Sequence, residues 1–356
     1  MQINEIKRKS LGEFPTPLQR LDNISKKLSG PQLFIKRDDL NGIGTGGNKV
    51  RKLEYAFAEA EEDNATDIIT SGSTQSNHTR LTLACANKLG LKTHLIVTGE
   101  EPATVSGNFL LNLLMGAESI DFVEEDIYAS RKEKQTEVEK KAEVISKKIT
   151  EQGGRSYYIP NGCKGLHGAL GYSQCVFELI DHFRPFNSVP THLITGCGTA
   201  GTLAGLVLGS HLYAQEEIKI IGISISREKK ELQELISEKL SEATDYLGTK
   251  TEISKNLFEV YDEFVGKGYG APTENMQRAI GLLARKEGII LDPVYTGKAM
   301  SGLIQLIRKG RFNKDDKVVF LHTGGLPGLF VEENNKFVND IYKSIGKRLN
   351  QNAHNI

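Results

Sequence analysis

The first group in this chain with the makings of chemistry is a lysine that follows two glycines and opens an amphipathic helix. Lys49 stands in Gly44-Thr-Gly-Gly-Asn-Lys-Val-Arg-Lys-Leu53. Gly46 and Gly47 strip side chains from the backbone just ahead of it, so a flat ligand or a second backbone can come close. Leu53, Ala56, Phe57 and Ala60 then supply one apolar helix face, which lets the lysine be aimed at a ligand instead of merely solvated. A surface lysine at a helix start is the plain alternative for so short a pattern.

A second candidate is the turn Gly196-Cys-Gly-Thr-Ala-Gly201-Thr202, which follows an apolar strand pattern and opens a helix. Small residues at Gly198, Thr199, Ala200, Gly201 and Thr202, together with helix N-terminal amides, suit a phosphate; a tight strand-to-helix turn explains the same residues without a ligand. They also spell the dinucleotide fingerprint. That reading needs an acidic residue at the end of the next strand, and Ile223-Ser-Ile-Ser-Arg227 has none, although Ser226 and Arg227 could hold a 2′-phosphate. An NADP-dependent oxidoreductase therefore stays open as a rival. In a third stretch, Ser71 to His78, small hydrogen-bonding side chains gather where a helix begins, so the loop amides can hold a carboxylate. Helix capping accounts for one such residue, Ser76 or Asn77, but not for the whole series. Tyr269 and Tyr295 each sit in a glycine-containing loop beside a helix start, where tyrosine is commonly a half-buried packing residue with a polar tip. Cys163 and Cys197 are read as small loop residues, because no paired histidine is evident.

These groups have to be positioned by alternating strands and helices. Strands are predicted at 33–37, 66–70, 93–97, 120–123, 157–160, 191–195, 218–225, 289–292 and 317–322, and helices follow Lys49, His78, Asn108, Ala169, Gly201, Arg227, Glu274 and Lys298. The charged run 124–152 carries Val138, Ala142, Ile145 and Ile149 at spacings of three and four, which marks an amphipathic scaffold helix. Each connection is long enough for a parallel crossover, so the fold class is α/β with open, mostly parallel sheets flanked by helices. The pattern leaves open which strands share a sheet.

Composition narrows the partners. A chain of 356 residues exceeds the length at which one core usually suffices, so two domains are expected. Lysine plus arginine equals aspartate plus glutamate at 45 each, which gives no pull towards nucleic acid or an anionic membrane and suits a small neutral or zwitterionic substrate. Cys85, Cys163, Cys175 and Cys197 lie far apart, which suggests neither a metal site nor a disulfide framework and fits a reducing cytosol. The N-terminal stretch has no apolar signal region, and no apolar run is long enough to span a bilayer. A soluble cytoplasmic protein is the expectation.

Gly46-Gly-Asn-Lys-Val-Arg-Lys-Leu-Glu-Tyr55 and Ser73-Thr-Gln-Ser-Asn-His78 together resemble the D-cysteine desulfhydrase and 1-aminocyclopropane-1-carboxylate deaminase family, and the likeness runs from Phe14-Pro-Thr-Pro-Leu18 to His322-Thr-Gly-Gly325. The resemblance implies a pyridoxal-phosphate enzyme of fold type II and a homodimer. It also implies a smaller inserted domain at 51–163 and a larger domain made of 1–50 and 164–356. By the same likeness Lys49 is the cofactor's covalent anchor, and Lys52 and residues 198–202 hold its phosphate. Asn77 meets the ring hydroxyl, Ser76, Asn77 and His78 bind substrate, and Tyr269 and Tyr295 face the substrate. Deaminases of this pattern carry a glutamate at the pyridine nitrogen where this chain has Thr296, and a glutamine where it has His78; Gly107-Asn-Phe-Leu-Leu111 follows the desulfhydrase pattern. The resemblance thus implies β-elimination from D-cysteine, with the deaminase reaction as the alternative and a non-enzymatic binding protein on the same fold as a third reading.

Overall fold

The computed structural model describes residues 3–124, 131–249 and 253–334, together with residues 339 and 343. In chain order the regular elements begin with β1 (Leu18–Arg20), α1 (Asp22–Leu28), β2 (Gln32–Arg37), α2 (Lys49–Glu62), β3 (Asp67–Ser73), α3 (Asn77–Lys88) and β4 (Lys92–Thr98). They continue through α4 (Gly107–Leu114), β5 (Ser119–Val123), α5 (Arg131–Glu151), β6 (Ser156–Ile159), α6 (Gly165–Phe183), β7 (His192–Cys197) and α7 (Gly201–Tyr213). The last are β8 (Lys219–Ser224), α8 (Lys229–Leu247), β9 (Phe258–Tyr261), α9 (Glu274–Glu287), α10 (Thr296–Arg308) and β10 (Lys317–His322).

Two sheets form. One has six strands in the order β1-β2-β10-β7-β8-β9, parallel except for the antiparallel edge strand β1. The other has four parallel strands in the order β5-β4-β3-β6. The apolar runs that both-face burial demands are present: Leu193 and Ile194 in β7 and Val318 to Leu321 in β10 are fully buried. The scaffold helix α5 packs Val138, Ala142, Ile145 and Ile149 onto Ile69 and Ile96 of the smaller sheet, while residues 125–130 of the same charged run lie outside the described residues. Leu53, Ala56, Phe57 and Ala60 of α2 are buried as their spacing implies. Helices α6 and α7 approach closely because a side chain at Gly168 would collide with the Gly201 backbone at 2.9 Å. Among the described residues no helix is long and apolar enough to cross a membrane.

The strand expected at 289–292 does not form. Ile289 and Leu291 are buried and Ile290 is half out, as on a strand, yet no strand pairs with the segment. The Ile290 carbonyl instead lies 2.9 Å from the His322 ring nitrogen Nε2. The short elements β1, α1 and β9 escape the sequence pattern, since three, seven and four residues carry little periodicity.

A buried ionic cluster fixes α2 to both ends of the larger unit. Arg51 donates through Nε and Nη2 to Asp38 (2.8 and 2.9 Å) and through Nη1 and Nη2 to Glu178 on α6 (2.6 and 2.9 Å). Tyr172 and Thr16 each donate to Asp38 at 2.7 Å, and Lys36 reaches Glu178 at 2.6 Å. Burial alone would raise the Asp38 carboxyl pKa, but the Arg51 charge and hydrogen bonds override it and hold the group below its ordinary value. Its contribution to stability is therefore complete above the ordinary carboxylate range and drains away as the pH falls through the folded value. Asp38→Asn should cost about 3–5 kcal/mol at neutral pH, because it leaves Arg51 short of a buried partner. Denaturant unfolding at a series of pH values checks this, and the gap between wild type and variant should close on acidification.

Candidate functional site

A cavity of about 450 Å³ lies between the two sheets. Its wall is built from segments that follow the carboxyl ends of parallel strands: Ser76 to His78 after β3, Gly196 to Ala200 after β7, Ile225 to Arg227 after β8, and Thr323 with Gly324 after β10. Such a crevice is where open α/β sheets bind ligands, because loops and helix N-termini converge there.

Lys49 enters this cavity as the first residue of α2. The preceding glycines serve a neighbouring backbone: a side chain on Gly46, which has φ +71°, would run into the Asp39 carbonyl, and Gly47 bridges to Gly324. Burial lowers the Lys49 pKa, and among the described residues its Nζ reaches only the Asn48 side chain, at 3.4 Å. Lys52, one turn on, is 1% exposed, and burial followed by the repulsion of Lys49 brings it down to about 7. A Cβ placed on Gly201 would lie 3.3 Å from Lys52 Nζ, so this ammonium faces the small-residue turn at the start of α7. Asn48 Nδ2 donates to Thr202 Oγ1 at 3.1 Å and ties the lysine's own cap to that turn.

Ser76 is both the N-cap of α3, accepting from the amides of His78 and Thr79, and part of the cavity wall. His78 is buried behind it. Burial first, then Lys49 and Lys52, push its imidazole down to about 3, so it is neutral. Thr70 Oγ1 donates to the Ile159 carbonyl and sits 3.1 Å from His78 Nε2, which assigns the ring proton to Nε2 and leaves Nδ1 a buried lone pair with no protein partner. Across the cavity the Tyr269 and Tyr295 hydroxyls meet at 2.5 Å. Burial, with Tyr269 alongside, raises the Tyr295 phenol well above its ordinary value. Lys298 holds the Tyr269 loop to α10 by donating to the carbonyls of Val265 and Gly268 at 2.9 and 2.6 Å.

Thr296 stands apart from the other expected site residues. It is 1% exposed, and its hydroxyl donates to Asp292 Oδ1 at 2.6 Å while accepting from the Asp292 amide at 2.8 Å. A role at a ring nitrogen would have to displace these bonds; Thr323, with Gly324, is the group that lines the wall after β10. Sequence reasoning also passed over Asn48 in the wall and Arg80 behind it, and considered Arg227, which lines the wall, only for a 2′-phosphate. Arg80 was hidden by its place beside the apolar positions Leu81 and Cys85 of α3, although a charge there needs a reason.

The charge inventory tests whether the site fits pyridoxal phosphate. Lys49, Lys52 and Arg80 are clustered around one cavity, none forms an ion pair among the described residues, and no aspartate or glutamate is among the described lining residues. Buried ammonium groups with no anion are costly, and a phosphate beside Lys52 would relieve that cost. The residues present fit the group: Lys52 and the 198–202 turn for its phosphate, Lys49 for its aldehyde carbon, and Asn77 for its ring oxygen.

Comparison with known proteins agrees with this. Residues 9–324 match the family model described as pyridoxal-phosphate dependent enzyme. A Pyrococcus horikoshii protein, named only provisionally as a 1-aminocyclopropane-1-carboxylate deaminase, is 39% identical over 324 residues, 91% of this chain and 93% of its own. A D-cysteine desulfhydrase of Yersinia enterocolitica is 38% identical over 320 residues, 88% of this chain and 92% of its own. The crystal structure of a 1-aminocyclopropane-1-carboxylate deaminase homologue superposes with a TM-score of 0.81 at 36% identity, covering 95% of this chain and 97% of the other.

The unpaired Lys52 sets up a measurable sign. With its folded pKa near 7 against an ordinary 10.5, the ammonium penalises the cofactor-free fold fully below pH 7 and less as the pH climbs to 10.5. Cofactor-free Lys52→Met should therefore be more stable than the wild type at or below neutral pH, by on the order of a few kcal/mol, with the difference vanishing at alkaline pH. The same variant should lose pyridoxal phosphate faster on dialysis. A cofactor-free variant less stable than the wild type would mean that Lys52 has a protein counter-charge.

Proposed function

The chain belongs to the pyridoxal-phosphate-dependent enzyme family, and from that premise we propose that it is a lyase that converts D-cysteine and water to pyruvate, hydrogen sulfide and ammonia. Bound pyridoxal phosphate supplies the electron sink that lets a β-substituent leave an amino acid. Lys49 provides the covalent anchor for the cofactor and, as a free amine of lowered pKa, takes the proton from the substrate α-carbon. The Ser76 hydroxyl, whose oxygen is already committed to the α3 amides, has its hydrogen left to donate to a substrate carboxylate. The Tyr269–Tyr295 pair holds a proton opposite Lys49, where the departing sulfur needs one. Neutral His78 adds bulk beside Ser76 without adding charge.

The observation that carries the choice of substrate is the absence of any carboxylate among the described residues of the cavity wall. Such a wall has no group to keep a pyridine nitrogen protonated, so the sink is modest. Elimination of a thiolate tolerates a modest sink because the leaving group takes the electron pair, whereas opening a cyclopropane that has no α-hydrogen does not. The D preference is carried on likeness to the D-cysteine desulfhydrases; a cytosolic location and a homodimer belong to the same proposal. The deaminase reaction is the second reading, favoured by the name of the Pyrococcus horikoshii relative.

A side-by-side assay of D-cysteine, L-cysteine and 1-aminocyclopropane-1-carboxylate, scoring sulfide, keto acid and ammonia, decides between them. Sulfide and pyruvate from D-cysteine are expected. Oxobutyrate from the cyclopropane with no sulfide from D-cysteine would make the deaminase reading the right one. Lys49→Ala should lower turnover by several orders of magnitude and abolish the borohydride-trapped link between protein and cofactor. An active variant that still traps cofactor would remove Lys49 from the mechanism.

A further inference from the structure

Arg80 is the largest fully buried side chain among the described residues, and it is spent entirely on neutral acceptors. Its Nε donates to Asn108 Oδ1 at 2.6 Å and its Nη1 to Thr45 Oγ1 at 2.6 Å. Its Nη2 donates to the Gly46 carbonyl at 3.3 Å and to Asn77 Oδ1 at 3.2 Å. Four elements meet on this one guanidinium: the loop ahead of Lys49, α3, the start of α4 through Asn108, and through Asn108 the Gln75 loop.

A guanidinium has donors and no acceptors, so each asparagine must turn its oxygen towards Arg80. That fixes both amides without recourse to which atom was labelled nitrogen. Asn108, its oxygen taken, points Nδ2 at the Gln75 carbonyl (2.9 Å) and at Asn77 Oδ1 (3.0 Å). Asn77 Oδ1 thus accepts from two donors at once, Arg80 and Asn108. Its Nδ2 meets no protein acceptor among the described residues, and Asn77 lines the cavity. The amide end left for a ligand is the donor.

We propose that Arg80 and Asn108 are positioning residues that lock the Asn77 amide so that it presents N–H, and never C=O, to an anionic oxygen of the bound cofactor. The pair acts on binding through Asn77 and touches neither substrate nor cofactor. An unlocked asparagine could turn its carbonyl to the same oxygen at the cost of two weak bonds; with the lock in place, the flip would leave a buried arginine N–H facing an amide N–H, which is strongly disfavoured. The uncompensated guanidinium adds a fixed positive charge behind the amide, which favours an ionised over a protonated ligand oxygen.

Asn77→Asp separates this from a purely structural role. A carboxylate accepts both existing bonds and gains an ion pair with Arg80, so the cofactor-free variant should keep or raise its Tm. It would, however, present an acceptor to the ligand oxygen, so pyridoxal phosphate affinity, measured by equilibrium titration, should fall about 10- to 100-fold, and the visible band of bound cofactor should shift. Arg80→Lys keeps the charge but cannot reach both asparagines, and is expected to shift the same band while lowering Tm. Should Arg80→Lys fail to fold, Asn77→Asp decides alone. An Asn77→Asp chain that binds cofactor within about threefold of wild type overturns the proposal, as does one whose Tm falls along with its affinity. The inference rests on the cofactor occupying this cavity; a wild-type chain that binds no pyridoxal phosphate would remove that premise, and the wild-type titration reveals it before any variant is made.

Discussion

Positive charge without a protein counter-charge is the condition around which this molecule is arranged. Lys52 and Arg80 are buried and Lys49 half-buried around one cavity, and no carboxylate among the described residues of its wall answers them. Desolvating such groups costs far more than a typical packing contact returns, so a fold tolerates it only if the rest of the structure is strong enough and a ligand repays it. The depressed pKa values of both lysines express the same cost, with burial as the leading cause.

Helix α2 shows how the fold separates paired from unpaired charge within four residues. Lys49 lines the cavity and Lys52, three residues on, faces the Gly201 turn at its edge, while Arg51 is met by Asp38 and Glu178. The paired arginine pins the helix to β2's exit loop and to α6. The unpaired lysines are thereby presented at a fixed height. A second polar knot holds the crossing from the smaller sheet: the Glu59 carboxylate accepts from Tyr157 at 2.5 Å, Lys164 at 2.9 Å and His167 at 2.7 Å. The far end of α2 is thus fastened to β6 and the start of α6, just where the chain passes from one sheet to the other.

The cavity's polar groups are oriented by partners that never touch a ligand. Asn77 is set by Arg80 and Asn108, Ser76 by the amides of α3, and the Tyr269 loop by Lys298. For Asn77 and Ser76 a donor-only neighbour, the Arg80 guanidinium or a helix amide, takes the oxygen and leaves the N–H or O–H to face inward. A rigid site follows, since reversing any one group would strand a buried partner.

The sequence by itself determined the strand and helix alternation, the glycine turn at 196–202, the lysine of the Gly-Gly-Asn-Lys loop, the polar loop at 71–78 and the two loop tyrosines. These are local: periodicity, turn chemistry and short motifs are written in consecutive residues. Which strands share a sheet was decided by tertiary structure, because β10 inserts between β2 and β7 from the far end of the chain. So was the fate of 289–292, whose short apolar run reads as a strand but which pairs with none. Arg80 shows the limit most clearly. Read in sequence it is one charged residue beside an apolar stripe, and its meaning arises only when loops from residues 45, 75 and 108 are brought within 3.3 Å or less of it or its partner. Thr296 makes the complementary point: a substitution at a site position is visible in the sequence, but whether its hydroxyl is free depends on Asp292, four residues earlier and folded back by a turn that only the assembled structure supplies. Hydrogen-bond direction is a property of neighbours in space, and a linear pattern carries the neighbours in order alone.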